Sequence, residues 1–143
     1  MDFAPLLETG KTDDPALAAL LKKPQAAWIT ELIDRLDDVH GDKLTFSGSI
    51  FFQFDPICRL LTNEGDAAVD ALIDAYEHDH RLTRTLDYSR PWQIDRTPVP
   101  VSVAAKSILN HILLPGLVDR TTPAELRAWW AKHRSENPLL RSY

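Results

Sequence analysis

A single cysteine, Cys58, means that no disulfide forms within this chain, so packing has to hold the fold together. Cys58 lies two residues after Pro56 on a hydrophobic stretch, where a buried packing thiol is the plain reading and a reactive one the alternative. No apolar run is long enough to cross a bilayer. Met1 to Thr12 lacks the basic start and apolar middle of a secretory leader, although a chain whose leader had been cleaved would look the same. These absences lead us to expect a cytoplasmic chain with no membrane partner. Positive charge is also in deficit: 16 Lys and Arg against 21 Asp and Glu give a formal charge of −5, which argues against non-specific nucleic-acid binding. Glycine is scarce (5 residues, against 10 prolines). There is no glycine-rich phosphate loop, no G-x-S-x-G elbow and no H-E-x-x-H motif. The expectation is a non-enzyme with no cofactor and no catalytic residues.

What is present suits one globular domain over 1–143, with 1–12 and 135–143 peripheral: 44% of the residues are hydrophobic and 26% charged. Asp14-Pro15 is a helix start, an acceptor side chain followed by proline at the first helical position. Between Gln25 and His40 the residues Ile29, Leu32, Ile33, Leu36 and Val39 form one helical stripe, and Gly41 is expected to supply a left-handed stop. Residues 42–54 alternate loosely and fit a hairpin, an extended buried segment or a distorted helix. Asp55-Pro56 repeats the start signal ahead of Ile57, Leu60 and Leu61, and Asp66 is expected to cap a further helix carrying Val69, Leu72, Ile73 and Tyr76. A long connection without helical period runs from about Asp79 to Pro100. Ser102 is expected to cap the next helix, and Thr122 with Glu125 forms a capping-box pattern at the start of the last. On that last helix Trp129, sharing the stripe of Leu126, is the expected core tryptophan.

The fold class expected from this grammar is all-α, with antiparallel helical hairpins at 55–78 and 102–134 stacked in series and an irregular loop at about 79–100. Asp55-Pro56 with Leu60-Leu61, Arg81-Leu82-Thr83-Arg84, Arg90-Pro91-Trp92, Pro98-Val99-Pro100-Val101 and Leu126-Arg127-Ala128-Trp129-Trp130 resemble degenerate bacterial HEAT-like repeat proteins, over roughly residues 54–130. That resemblance implies an α-α superhelical segment used for macromolecular contact, and it implies no catalytic residues.

Two surfaces stand out as candidate sites. Asp66, Asp70, Asp74 and Glu77 fall at +4, +8 and +11, which sets four carboxylates on one helical stripe. The conservative reading is a solvated face partly relieved by arginines of the following loop; the functional reading is a docking face for a partner with a basic surface. Asp66 is discounted in part as a cap. The second surface is the loop, where Arg81, Arg84 and Arg90 accompany Tyr88 and Trp92, a combination favoured at interfaces and equally able to fold back on the acidic helix. His78-Asp79-His80 lacks further ligands at metal spacing, so no metal is expected. The leading expectation is a protein-interaction module using Asp70, Asp74, Glu77, Arg81, Arg84, Tyr88, Arg90 and Trp92. The alternatives are a small acidic immunity or inhibitor protein that neutralises a basic toxin, a ligand-binding or enzymatic domain built on the 79–100 loop, and a fragment of a longer repeat protein.

Overall fold

The computed structural model describes residues 15–20, 22–43, 50–87 and 97–143, and the protein is mostly helical over them. Helix α1 spans Pro15–Leu20. Helix α2 spans Gln25–Asp34 and tightens into a 3-10 turn at Arg35–Asp38. The expected stripe survives that change of winding, because Ile29, Leu32, Leu36 and Val39 are all buried. Gly41 is not the left-handed stop expected of it, since among the described residues only Gly65 and Gly116 have positive φ. Its small size matters for a different reason: a Cβ there would overlap the Ile50 side chain and crowd Phe52 and Thr85.

Strand β1 (Asp42–Lys43) pairs antiparallel with β2 (Ile50–Phe51) within the segment that the sequence left open, whose residues 44–49 lie outside the described ones. Helix α3 (Pro56–Glu64) starts as expected: Asp55 Oδ1 accepts the N–H of Ile57 at 2.9 Å. The other oxygen of Asp55 accepts the N–H of His40 at 3.0 Å, so one carboxylate caps α3 and ties down the chain leaving α2. Gly65 joins α3 to α4 (Asp66–His78) with φ 59° and ψ −127°, a conformation open to glycine alone among ordinary residues. Gly65, not Asp66, occupies the cap position, and Asp66 is the first helical residue.

The stretch expected to be an irregular loop contains two paired strands among its described residues. Strand β3 (Leu82–Asp87) runs antiparallel to β4 (Thr97–Pro100), pairing Leu82 with Pro100, Leu86 with Pro98 and Asp87 with Thr97 across an irregular register. Its hydropathy pattern is inverted, which hides it in the sequence: Thr83 and Thr85 face inward while Leu82, Arg84 and Leu86 are exposed. The buried hydroxyls are satisfied by backbone. Thr83 Oγ1 donates to the Val99 carbonyl at 2.8 Å, and Thr85 Oγ1 accepts the N–H of Gly41 at 2.6 Å. Helix α5 (Val101–Ile112) follows at once. Pro100 holds its cap position, and Ser102, expected there, is inside the helix.

Helix α6 (Leu117–Arg120) opens behind left-handed Gly116. Helix α7 (Pro123–His133) has the expected start, with Thr122 Oγ1 accepting the Glu125 N–H at 3.2 Å and donating to the Glu125 carboxylate at 3.0 Å. Its buried stripe is Leu126, Trp130 and His133, so Trp130 is the core tryptophan and Trp129 is half-buried. Position 129 is i+3 from 126 and i−4 from 133 while 130 is i+4 and i−3, so spacing treats the two indoles alike and the packing alone buries Trp130.

Helix α4 is central, touching α2, α3, α5 and α7. The most extensive helix pairing is α4 with α5, which joins the two expected hairpins instead of lying within either one. Both helices bury alanines (Ala68 and Ala75, Ala104 and Ala105), small side chains that permit close approach. Among the described residues no helix is long and apolar enough to cross a membrane.

Candidate functional site

The four carboxylates along α4 are answered one by one from the C-terminal part of the chain. Arg141 grips Asp66 through two bonds of 2.9 and 2.8 Å, Arg134 reaches Asp70 at 3.0 Å, and Arg127 bridges Asp74 at 2.9 Å and Glu77 at 2.5 Å. The partners fall in reverse order along the chain, so α4 and α7 run antiparallel with their charges in register. The relief expected from the following loop therefore comes from α7 and the tail. Arg127 has its pKa raised by donation to Glu77 first and Asp74 second.

The tail is uneven in its exposure. Leu139 and Leu140 are bare to solvent, while Arg141 is buried. Besides Asp66, the Arg141 guanidinium donates to the carbonyls of His133, Arg134 and Glu136 and lies over the Trp130 ring at 4.8 Å. These carbonyls lie at and just beyond the C-terminal end of α7, where a helix leaves acceptors unmet. Trp129 Nε1 donates to the Ser142 carbonyl at 3.0 Å, which fixes the tail at a second point.

The loop arginines are used elsewhere. Arg81 forms a bidentate pair with Asp79 (3.0 and 2.7 Å) and donates to the carbonyls of Asp34 at 2.6 Å and Ile33 at 3.1 Å. It thus clamps the base of the β3–β4 hairpin onto the C-terminal end of α2, where a cation also suits the helix dipole. The Arg81 side chain holds the Asp79 carboxyl below the ordinary carboxylate value. Arg84 pairs with Asp38 at 2.9 Å on the surface. Neither arginine folds back on the acidic stripe. Tyr88, Arg90 and Trp92 lie outside the described residues.

Between α2 and α4, closed at one end by residues 78–81, lies an open groove of about 760 Å³. Ile33, Ala71 and Ala75 give it an apolar floor. Asp34, Asp74, Asp79 and Arg81 stand on its walls with His78 and His80. The groove thus brings together Asp74 and Arg81 of the expected site residues, whereas Asp70 and Arg84 do not line it. Within the groove Asp79 is committed to Arg81, and the Thr30 hydroxyl donates to its own helix at the Ala26 carbonyl, 3.1 Å away. Among the described residues no group of three or more His, Cys, Asp or Glu side chains is placed to hold a metal ion. Cys58 is buried, and its thiol pKa is raised by that burial first and by Asp55 second.

Sequence reasoning missed Arg127, Arg134 and Arg141 as the partners of the stripe. A signal existed for two of them, because Arg127 and Arg134 are seven residues apart, two turns on one face. Arg141 lies past the helix and carried no such signal.

No family model matches the chain, and neither a curated protein nor a solved structure matches it.

Proposed function

We propose that this chain is a non-catalytic protein-interaction module, and that it docks a basic segment of a protein partner in the groove between α2 and α4. One observation carries the reading: an apolar floor is lined by three carboxylates, Asp34, Asp74 and Asp79, of which Asp79 is paired with Arg81 and Asp74 with Arg127 of α7. A partner segment that lays an apolar side chain on Ile33, Ala71 and Ala75 would place flanking lysines or arginines beside Asp34 and Asp74. The acidic stripe takes a different role from the one its sequence suggests. Asp66 and Asp70 hold the C-terminal region, and only the end of the stripe at Asp74 reaches the groove. Arg81 supports the groove wall, while Arg84 pairs with Asp38 away from the groove, and neither is itself the contact. The stacked HEAT-like superhelix is not needed for this reading, since a bundle gathered around α4 already supplies the surface.

The test is a titration of the isotopically labelled chain with a lysine-rich amphipathic peptide and, separately, an acidic peptide of the same apolar pattern. Saturable shifts at Thr30, Ile33, Ala71 and Ala75 with the basic peptide alone support the reading. Asp34→Lys should weaken that binding and flatten its salt dependence, and Ala71→Arg, which fills the groove, should abolish it. Equal binding of the acidic peptide, or binding unaffected by Ala71→Arg, would sink the reading. A tight 1:1 complex with one basic protein, competed by the same peptide, would narrow the function to the immunity or inhibitor class.

A further inference from the structure

A second concavity, of about 370 Å³, is lined by Gln53, Arg59, Thr62, Asn63 and His111. It owes nothing to the acidic groove. Arg59, Thr62 and Asn63 fall at i, i+3 and i+4 on α3 and so share one face. Gln53 comes from the turn after β2, and His111 from the last turn of α5. Every lining residue is polar and none is acidic, in a chain whose net charge is −5. Among the described residues Arg59 has no ion-pair partner, unlike Arg81, Arg84, Arg127, Arg134 and Arg141, each of which holds a carboxylate.

The hydrogen-bonding inventory points to a ligand of mixed character. Gln53 Oε1 is buried and has no donor, a costly state for a carbonyl oxygen removed from water. The Thr62 hydroxyl spends its proton on the Cys58 carbonyl at 2.8 Å, which leaves it an acceptor. Arg59 offers a planar fork of donors suited to two oxygens of one anion, and Asn63 offers both a donor and an acceptor. A matching molecule carries an oxyanion for Arg59 and hydroxyl groups for Gln53 and Thr62. The volume lies near the lower end of small-ligand sites, about 300–1,000 Å³, and leaves room for an organic moiety besides the anion.

We propose that this pocket binds a small hydroxylated phosphate ester, of the sugar-phosphate class, with Arg59 on the phosphate and Gln53, Thr62 and Asn63 on the hydroxyls. His111, which reaches the pocket from α5, donates a ring N–H to the same anion. The site takes no part in the peptide groove, so it stands or falls independently of the docking reading.

The experiment uses the full chain, isotopically labelled and titrated with ribose 5-phosphate, with ribose and with inorganic phosphate. Saturable shifts of the Gln53, Arg59, Thr62, Asn63 and His111 signals are expected with ribose 5-phosphate. Inorganic phosphate should bind about tenfold or more weakly, and ribose should not bind measurably at about 10 mM. Arg59→Gln, at an exposed position and checked for native circular dichroism, should weaken the ester by about tenfold or more. Gln53→Leu should weaken the ester and leave bare phosphate unchanged. Absence of shifts at these five residues with the ester, or an affinity unchanged by Arg59→Gln, overturns the proposal. Equal affinity for ester and bare phosphate also overturns it, by reducing the pocket to an anion site without hydroxyl recognition.

Discussion

Replacing Arg141 tests whether the tail is a structural clamp. Its side chain is 4% exposed, and that of its partner Asp66 is 44% exposed. Removing one member of a fully buried ion pair costs about 3–5 kcal/mol, but the exposed Asp66 can be rehydrated, so the charge pair itself should contribute no more than about 1 kcal/mol. The larger part comes from the carbonyls of His133, Arg134 and Glu136, which lose a charged donor at about 0.5–1.5 kcal/mol each, less whatever water restores. The contact over Trp130 adds about 0.5–1 kcal/mol. Arg141→Met should therefore destabilise the fold by about 3 kcal/mol, a fall in Tm of roughly 6–12 °C at this chain length. Asp66→Asn should cost only about 1 kcal/mol. Arg141→Lys should resemble Met, because one ammonium cannot serve a carboxylate and three carbonyls at once. Urea unfolding followed by tryptophan fluorescence reads all three variants, with Trp130 reporting directly on the site. A loss below about 1 kcal/mol for Arg141→Met, or equal losses for Arg141→Met and Asp66→Asn, would refute the assignment of the stability to the carbonyl contacts.

Three further outcomes are expected. Gly65→Ala should cost about 1–3 kcal/mol in urea unfolding through backbone strain alone, since φ is 59° and an added Cβ meets nothing within 4 Å; an unchanged midpoint would contradict the strained link between α3 and α4. The Asp79 carboxyl is held below its ordinary 3.8 by Arg81, so the stability it contributes is complete above that value and disappears as pH falls through the lower folded-state pKa. The stability difference between wild type and Asp79→Asn, measured by urea unfolding from neutral to acid pH, should accordingly be constant at neutral pH and shrink below about pH 4; a difference that grows with acid would reverse the sign. The Cys58 thiol, buried and with a raised pKa, should resist a disulfide reagent in the native chain and react fully in denaturant. Rapid labelling of folded protein would show that the thiol is accessible.

The starts of α3 and α7 were legible because each device is local: Asp55 and Thr122 accept N–H groups two or three residues ahead. The stripe of α2 was legible for the same reason, although its last turn is 3-10. The β3–β4 hairpin was not, because its inward face is Thr83 and Thr85, whose burial depends on carbonyl and N–H partners at Val99 and Gly41. The choice between Trp129 and Trp130 was likewise invisible, since both satisfy helical spacing from Leu126 and only the packing separates them. Of the groove, the sequence marked Asp74 and Arg81 as exceptional but gave no sign that Ile33, Ala71 and Ala75 would floor a space between them.

By itself, then, the sequence determined where most helices begin, which faces are apolar, and that four carboxylates share one stripe of α4. Those properties depend on residues within a turn or two of one another. Only the tertiary structure decided what the carboxylates do, because their partners lie 50, 53, 64 and 75 residues away along the chain. A charge at helical spacing announces its face. What meets that face is set by the packing of α7 and the tail against α4, which brings Arg127, Arg134 and Arg141 to it in reverse order.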